Sequence, residues 1–147
     1  MATSVAGMRG FATLNIWADD VEAAEKWYAE FLGQDAYFHR NGPDGKLAYA
    51  EFRVGDFEAE LGIIDRRWAP AGSVAGPGGA IMHWHVDDLE GTVERLLAMG
   101  AKEYQKITPQ GDSGFVTASV VDPFGNVLGV MTNPHYASIA AAVKNPT

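Results

Sequence analysis

The sequence contains no cysteine at any of its 147 positions. This absence excludes disulfide bonds, thiolate nucleophiles and zinc–cysteine sites, and it fits a cytoplasmic protein. There is also no apolar run long enough to cross a bilayer. The N-terminal stretch MATSVAGMRGFATLNIW lacks a basic segment followed by an apolar one, so we expect no secretory signal. These absences together predict a cytoplasmic location.

Basic residues are scarce relative to acidic ones. The chain has 11 Lys and Arg against 19 Asp and Glu, which gives a formal net charge of −8. A negative field of this kind repels nucleic acid and anionic lipid, so we expect neither as a partner. Solubility is the simplest role for the charge, and attraction of cationic ligands is the alternative.

Common catalytic and phosphate-binding motifs are missing as well. The sequence has no G-x-S-x-G elbow, no Walker loop and no dinucleotide fingerprint after a first strand. The glycines of GPGG at 76–79 lie in a segment rich in Gly, Ala and Pro that is typical of a linker. The function therefore has to be inferred from the organisation of the chain.

An internal repeat is the main feature that the sequence does contain. NIWADDVEAAEKWYAEFLG at 15–33 and HWHVDDLEGTVERLLAMG at 83–100 share one plan: a short apolar-alternating run, Asp-Asp, an amphipathic helix and a glycine. Asp20 and Asp88 are equivalent, and 88 − 20 = 68 residues separate them. This offset is too long for a solenoid repeat and predicts a duplicated module of roughly half the chain.

Each copy carries the signals of a capped helix. The D-x-x-E spacing at 19–22 and at 87–90 is typical of a capping box, with Asp19 and Asp87 as the caps. Glycines at 33 and 100 are expected to end the two helices. The apolar residues expected on the buried faces are Val21, Ala24, Trp27, Tyr28, Phe31 and Leu32 in the first helix, and Leu89, Val93, Leu96 and Leu97 in the second.

Strands follow each helix, so each copy is predicted to be a β-α-β-β-β module of an α+β protein. The turn sequences NGPDG (41–45) and DPFGN (122–126) mark tight reversals. The strands expected after the helices are 36–40, 46–54, 57–64, 102–107, 115–121 and 127–131. The predicted divisions are a first module at 8–65, a linker at 66–79, a second module at 80–133 and a tail or short C-terminal helix at 134–147.

Two stretches give the chain a family resemblance. ADDVEAAEKWYAEFLG in the first copy and VVDPFGNVLGV near the end, on a tandem β-α-β-β-β plan, resemble the vicinal oxygen chelate superfamily. That group includes glyoxalase I, bleomycin-resistance proteins, extradiol dioxygenases and fosfomycin-resistance enzymes. The resemblance covers residues 10 to 133 and implies a curled sheet around a cavity and a homodimer. Because the superfamily contains both enzymes and binders, the fold leaves the function open.

The resemblance also implies four metal-ligand positions. Counting back seven residues from the helix-start aspartates gives Thr13 and Ile81, and the last strand of the second copy gives Gly129. The remaining position falls on Glu60 or Gly62. At least three of these four residues cannot act, because metal sites are built from His, Cys, Asp and Glu. We therefore predict no metal and no other cofactor.

The pair His83 and His85 raises a second possibility for a metal. Strand side chains alternate, so both imidazoles are expected on the face of the sheet that lines the cavity. A metal would still need a third donor, for which Glu60, Glu51 and His39 are the candidates. The other interpretations are hydrogen bonds to neighbouring strands and polar contacts to an organic ligand, and we favour the ligand contacts.

The same alternation selects the rest of the expected site. Aromatic walls with a few placed polar groups are typical of a site for a flat organic molecule. Tyr37 and Ser119 are further candidates for the lining. The predicted ligand-binding residues are Thr13, Asn15, Trp17, Tyr49, Glu51, His83, His85, Phe115 and Thr117.

The sequence thus predicts metal-independent binding of a small aromatic or amphipathic organic molecule, with sequestration of an antibiotic as one form. A metal-independent enzyme is the alternative, with His83 or His85 as general acid or base and Glu51 or Glu60 as partner. A metal-dependent lyase or dioxygenase is the third hypothesis, and it requires the histidine-based metal site.

Overall fold

The computed structural model describes residues 7–74 and 76–145. Positions 1–6, which begin the stretch considered for a secretory signal, lie outside the described residues, as do position 75 of the predicted linker and positions 146–147 of the tail. The chain divides into two compact units, Met1–Trp68 and Ala69–Thr147. Within the described ranges, no helix is long and apolar enough to span a membrane.

The first unit is one helix packed on one face of a four-stranded sheet. Its elements are β1 (Thr13–Ala18), α1 (Val21–Leu32), β2 (Phe38–Asn41), β3 (Leu47–Val54) and β4 (Ala59–Asp65), in the sheet order β1-β4-β3-β2. β1 is parallel to β4, and the other neighbours are antiparallel. Alternate strand side chains meet the inner face of α1 in the core. The core residues are Ala18, Ala48, Ala50, Phe52, Leu61 and Ile63 from the strands and Val21, Ala24 and Tyr28 from α1.

The second unit repeats this plan and adds a C-terminal helix. Its elements are β5 (His83–His85), α2 (Leu89–Ala98), β6 (Lys102–Pro109), β7 (Val116–Val121), β8 (Val127–Thr132) and α3 (Pro134–Lys144). The sheet order is β5-β8-β7-β6, with β5 parallel to β8. Its core consists of Leu89, Leu96, Ala101, Ala118, Val120, Leu128, Val130 and Ala140.

The predicted α+β fold of two β-α-β-β-β modules is confirmed. For the tail, the prediction left a short helix as one of two alternatives, and the structure has α3 there. Both sheets are open, with two edge strands each. Some strand limits differ from the prediction. β4 begins at Ala59 because 55–58 forms a tight turn in which the Glu58 N–H donates to the Gly55 carbonyl at 3.1 Å. β2 begins at Phe38, two residues later than expected.

The helices begin one residue later than the capping-box spacing predicts. The caps are Asp20 and Asp88, and each carboxylate accepts the backbone N–H three residues on at 3.0 Å. The assignment of Asp19 and Asp87 was therefore wrong. Asp19 instead accepts a hydrogen bond from Arg66 Nε at 3.0 Å.

The helix ends follow the prediction more closely in the first unit than in the second. Gly33 is left-handed with φ 71°, and its N–H donates to the Ala29 carbonyl, as expected of a C-cap glycine. In the second unit Met99 is the cap, and Gly100 follows it with φ 99°. Leu97 is 43% exposed, so its placement in the core was wrong, because Leu96 fills the buried position of that turn.

Candidate functional site

The face of the first sheet that points away from α1 carries polar and aromatic side chains. Because β1, β4 and β3 are neighbours in register, residues from the three strands line up in cross-strand rows. We name three rows after their content. They are the charged row (Thr13, Glu60, Arg53), the first glycine row (Asn15, Gly62, Glu51) and the aromatic row (Trp17, Ile64, Tyr49).

In the charged row, both oxygens of Glu60 already have partners. Thr13 Oγ1 donates to one oxygen at 2.5 Å, and Arg53 Nη1 donates to the other at 2.9 Å. The hydrogen bond from Thr13, followed by the one from Arg53, holds the pKa of the Glu60 carboxyl below its ordinary value. The Tyr37 ring lies 4.7 Å from the Arg53 guanidinium and covers that end of the row.

The first glycine row is closed by its own side chains. A Cβ added at Gly62 would lie 2.6 Å from Asn15 Oδ1 and 2.7 Å from the Tyr49 hydroxyl, so these two side chains occupy the space above the glycine. The Tyr49 hydroxyl donates to the Glu51 carboxylate. Burial, with a smaller effect from the charge of Glu60, raises the pKa of Glu51, and burial also raises the pKa of Tyr49.

Aromatic rings continue from the rows toward β2. Phe38 lies opposite Glu51, and its ring meets Tyr49 edge-on at a centroid distance of 6.1 Å. Phe38 is 41% exposed and Tyr37 is 49% exposed, whereas Trp17 is half-buried at the far end of β1. This part of the face therefore offers open aromatic surface beside a carboxylate.

The second sheet has the same arrangement in its own register. On the face away from α2, β5, β8 and β7 form a second glycine row (His83, Gly129, Ser119) and a histidine row (His85, Met131, Thr117). The two glycine rows are equivalent by the repeat. The matched pairs are Asn15 and His83 (83 − 15 = 68), Glu51 and Ser119 (119 − 51 = 68), and Gly62 and Gly129 (129 − 62 = 67).

The second glycine row differs from the first in its hydrogen bonding. His83 Nε2 and Ser119 Oγ are both buried, and neither has a hydrogen-bond partner among the described residues. A Cβ added at Gly129 would lie 2.8 Å from His83 Cδ2, which shows that the imidazole leans over the glycine. Ser119 itself is only 1% exposed. Two polar atoms on strands either side of Gly129 are thus left with unused hydrogen-bonding capacity.

His85 lies on the same face but is occupied by the C-terminal helix. Its Nδ1 accepts the backbone N–H of Asn133 at 3.0 Å, and its ring stacks on Tyr136 at 5.1 Å. Asn133 also caps α3 by accepting the N–H of Tyr136 at 3.0 Å. His85 therefore anchors α3 through Nδ1 as a hydrogen-bond acceptor.

The remaining predicted residues of the second unit are partly engaged. Phe115 precedes β7 and packs edge-on against His135 at 4.8 Å. Thr117 lies on the sheet face, where its hydroxyl accepts a hydrogen bond from Gln110 Nε2 at 3.0 Å. Of the predicted binding residues in this unit, His83 is the one whose buried ring nitrogen has no partner in the described ranges.

His39 does not share a face with Glu51. It pairs in register with the buried Ala50 and bonds to Glu25 on α1. It therefore points to the helix side of the first sheet. Tyr37, in contrast, approaches Arg53 on the open side.

The residues do not fit the metal that the resemblance implies. Equivalence with Gly129 identifies Gly62, not Glu60, as the fourth ligand position, so two positions carry no side chain. Ile81 has no donor atom, and the hydroxyl of Thr13 is bonded to Glu60. Across 7–74 and 76–145, no three His, Asp or Glu side chains are grouped closely enough to hold a metal ion.

Sequence reasoning missed two residues of the first sheet face. Arg53 continues the alternation of Tyr49 and Glu51 along β3, so the period-two pattern could have identified it. Phe38 gave no such signal, because all four residues of β2 are exposed and the strand has no apolar–polar alternation.

Comparison with known proteins places this geometry in a family. Residues 10–130 match the model of the Glyoxalase/Bleomycin resistance protein/Dioxygenase superfamily. Among solved structures, a glyoxalase-related enzyme from Fulvimarina pelagi is similar at a TM-score of 0.67 and 19% identity, covering 86% of this chain and 90% of that one. A glyoxalase / bleomycin resistance protein from Catenulispora acidiphila is similar at 0.58 and 20%, covering 84% and 98%. TioX from Micromonospora sp. ML1 is similar at 0.61 and 16%, with the same coverage.

At these identities the likeness to solved structures concerns the fold. No curated protein matches the sequence. The family model spans most of the chain and includes both glycine rows up to Val130 of β8. The protein belongs to the Glyoxalase/Bleomycin resistance protein/Dioxygenase superfamily.

Proposed function

We propose that the protein binds a small aromatic or amphipathic organic molecule without a metal and releases it unchanged. The observation that carries this proposal is the open aromatic surface on the first sheet. Tyr37 and Phe38 are 49% and 41% exposed, and they lie beside Tyr49, Glu51 and Arg53 on the face away from α1. Exposed apolar surface rimmed by polar groups is typical of binding sites.

The chemistry of this surface suits a flat ligand with a polar edge. Rings of Phe38 and Tyr49 offer apolar area for stacking, and burial of such area drives association. Glu51 and Asn15 supply acceptors at one side of the rings, and Arg53 supplies donors close to Tyr37. The carboxylate favours ligands that present a donor, including an amine.

Metal independence is supported by the donor set. The four positions at which the resemblance implies ligands hold Thr13, Gly62, Ile81 and Gly129, and none of these is a usual metal-binding residue. These residues therefore do not support the third hypothesis, a metal-dependent lyase or dioxygenase.

Sequestration of an antibiotic is the finer form of the proposal. The family description names bleomycin resistance, and so does the name of the similar protein from Catenulispora acidiphila. Bleomycin is therefore the first compound to test, together with a simple aromatic such as 1-naphthol.

We further propose that the protein acts as a homodimer in the cytoplasm. Size-exclusion chromatography with light scattering tests the dimer, and fractionation of the source cells tests the location.

The test is a titration of the intact protein with bleomycin and 1-naphthol by calorimetry, with and without EDTA. We expect saturable binding of at least one compound, the same Kd in EDTA, and recovery of the compound unchanged by mass spectrometry. Phe38→Ala should weaken binding by about tenfold, since a buried aromatic contact contributes on the order of 1.5 kcal/mol. Binding that EDTA abolishes would overturn metal independence.

Phe11→Ala is the matched control for this titration. Phe11 is the same residue type in the same unit, and it is fully exposed before β1. Its removal should leave the Kd unchanged. An equal loss in both variants would mean that exposed phenylalanines bind the probes non-specifically, and the proposed surface would then be rejected.

A metal-independent enzyme is the second candidate, and one observation favours it. The Nε2 of His83 is buried and has no partner within the described residues, as expected of a nitrogen reserved for a substrate proton. His85 is less suited, because its Nδ1 is bonded to the backbone of Asn133. Incubation of bound compounds with the protein separates the two functions, since an enzyme yields a product that His83→Asn no longer forms.

A further inference from the structure

The second glycine row contains two buried polar atoms without a described partner, and these call for an explanation. His83 Nε2 and Ser119 Oγ have lost their contact with water, and no group in 7–74 or 76–145 replaces it. Burying a donor or acceptor without a partner destabilises a fold. An alanine or valine in place of Ser119 would avoid this destabilisation. The presence of a serine therefore suggests that its hydroxyl has a role.

The two atoms belong to the same cross-strand row. His83 and Ser119 lie on β5 and β7, on either side of Gly129 on β8, and they share the face away from α2. Neighbouring strands are about 4.8 Å apart, so the two backbones are separated by about 10 Å. The imidazole leans over the glycine, and its Cδ2 lies 2.8 Å from the place of a glycine Cβ.

In the equivalent row of the first sheet, side chains within the sheet form a hydrogen bond with each other. There the Tyr49 hydroxyl lies above Gly62 and donates to Glu51, the residue equivalent to Ser119. The second sheet has Thr117 at the place of Tyr49 (117 − 49 = 68), and this shorter side chain accepts from Gln110 instead. The second row therefore lacks the hydroxyl that completes the first.

We propose that His83 Nε2 and Ser119 Oγ form a polar anchor on the second sheet that receives a neutral hydroxyl group of a small organic molecule. A hydroxyl donates one hydrogen bond and accepts others, so it can pair with the imidazole and the serine together. A charged group is disfavoured, because the β7 and β8 residues next to this row on the same face, Val121, Val127, Thr117 and Met131, carry no charge and offer no counter-ion. Lys102, opposite Val121 on β6, is exposed to solvent, so we do not count it as a counter-ion for the buried row.

This inference rests on the proposed function, because it assumes that the protein binds a small organic molecule. It adds the chemistry of that molecule, namely an alcohol or phenol. The anchor belongs to the second sheet, whereas the open aromatic surface belongs to the first, so the two can be tested by separate variants.

Phenol and toluene are suitable probes, because they differ in a hydroxyl against a methyl group of similar size. We expect phenol to bind with a Kd at least fivefold lower than toluene. Phenol should also shift the Nε2 signal of His83 in a long-range proton–nitrogen spectrum of the imidazoles, assigned with His83→Asn. Toluene should leave that signal in place.

Ser119→Ala is the critical variant, since it removes the hydroxyl and little volume. It should weaken phenol binding at least fivefold, leave toluene binding unchanged and leave the Tm of the free protein unchanged or higher. If Ser119→Ala folds poorly, Ser119→Cys takes its place, because it has a side chain of similar size with a weaker hydrogen-bonding group. Its phenol affinity should lie between those of the unmodified protein and Ser119→Ala. Ser138→Ala removes an exposed serine hydroxyl from α3 and is the matched control.

Three outcomes would overturn the anchor. Equal affinity for phenol and toluene with no His83 shift would reject it while small-molecule binding stands. A lower Tm of Ser119→Ala with unchanged phenol affinity would identify the serine as a structural residue bonded to trapped water. Failure of both probes to bind would reject the anchor as a ligand site, and the proposed function would fall as well only if bleomycin and 1-naphthol also gave no complex.

Discussion

The two glycine rows occupy equivalent places in equivalent sheets, yet they differ in how they are completed. In both, a glycine of the last strand lets a side chain of the first strand lie across the sheet. In the first row, the Tyr49 hydroxyl and the Glu51 carboxylate are joined by a hydrogen bond. In the second, the buried polar atoms of His83 and Ser119 have no such partner among the described residues. The close approach requires glycine in both copies, whereas the neighbouring side chains differ and give each sheet its own chemistry.

The largest effect is expected from filling the glycine positions. A methyl group at Gly129 would meet the Met82 carbonyl oxygen at 2.8 Å as well as the His83 ring, and backbone cannot move aside easily. At Gly62 the three nearest atoms all belong to the side chains of Asn15 and Tyr49. We expect Gly129→Ala to lower the free energy of unfolding by about 3 kcal/mol and Gly62→Ala by about 1 kcal/mol.

Urea unfolding, with hydrogen exchange to locate the loss in one sheet or the other, measures this difference. A larger loss in Gly62→Ala would show that the Asn15 and Tyr49 side chains are held more rigidly than the backbone of Met82. The equivalence of the two rows as packing sites would then need to be revised.

The next effect concerns the ends of the rows, where His85 and Trp17 are equivalent (85 − 17 = 68). His85→Phe keeps a ring against Tyr136 but leaves the N–H of Asn133 without its acceptor. We expect a loss of about 2 kcal/mol, the typical cost of an unsatisfied buried donor. The loss should appear as faster hydrogen exchange in α3. Trp17→Phe is the control, since it should leave α3 exchange as it is, and equal acceleration in both variants would contradict the anchoring role.

A smaller effect is expected at the turns before β4 and β8. Glu58 and Gly125 are equivalent (125 − 58 = 67), and both have positive φ, 50° and 92°. A side chain in this region is strained, whereas glycine is not. Gly125→Ala should therefore destabilise by about 1 kcal/mol, whereas Glu58→Gly should stabilise by less than about 1 kcal/mol, because glycine also adds freedom to the unfolded chain. Thermal unfolding checks both signs, and a destabilised Glu58→Gly would show that the glutamate side chain compensates for its backbone.

The repeat and the turn glycines made much of the fold predictable. The helix-start aspartates, the alternation of β1, β3 and β7, and the DPFGN turn are local signals, and each indicated its element. The prediction failed where local signals compete or vanish. Two consecutive aspartates offer two possible caps, and the cap is decided by which carboxylate reaches the N–H three residues on. β2 has no alternation, so the facing of its residues could not be inferred.

The candidate site was less predictable than the fold, because its contacts join distant parts of the sequence. Alternation placed His83 and His85 together on one face, and that much follows from strand geometry. The two histidines differ in hydrogen bonding, because His85 accepts the N–H of Asn133, a residue 48 positions away in the sequence. Likewise, the Thr13–Glu60 bond spans 47 residues. Sequence patterns give the face of a side chain, whereas its partner depends on packing between elements.

The smallest effect is expected from the two carboxylates of the first sheet, which differ in the sign of their pH dependence. Glu51 has a raised pKa, so its stabilising contribution is present at low pH and is lost as the pH rises through the folded value. Glu60 has a lowered pKa, so its contribution is present above the ordinary value of 4.5 and is lost as the pH falls through the folded one. Both carboxylates reach solvent in part, which limits the size of each effect.

Melting temperatures between about pH 3 and pH 8 test this difference. Glu51→Gln should melt higher than the unmodified protein at neutral pH and converge with it in acid, whereas Glu60→Gln should melt lower at neutral pH and also converge in acid. Ser119→Ala, at the place equivalent to Glu51, should shift the curve by the same amount at every pH, since serine does not titrate in this range. Parallel curves for Glu51→Gln and Glu60→Gln would mean that the neighbours of the two carboxylates do not distinguish them. The contrast between the charged row and the first glycine row would then be geometric only.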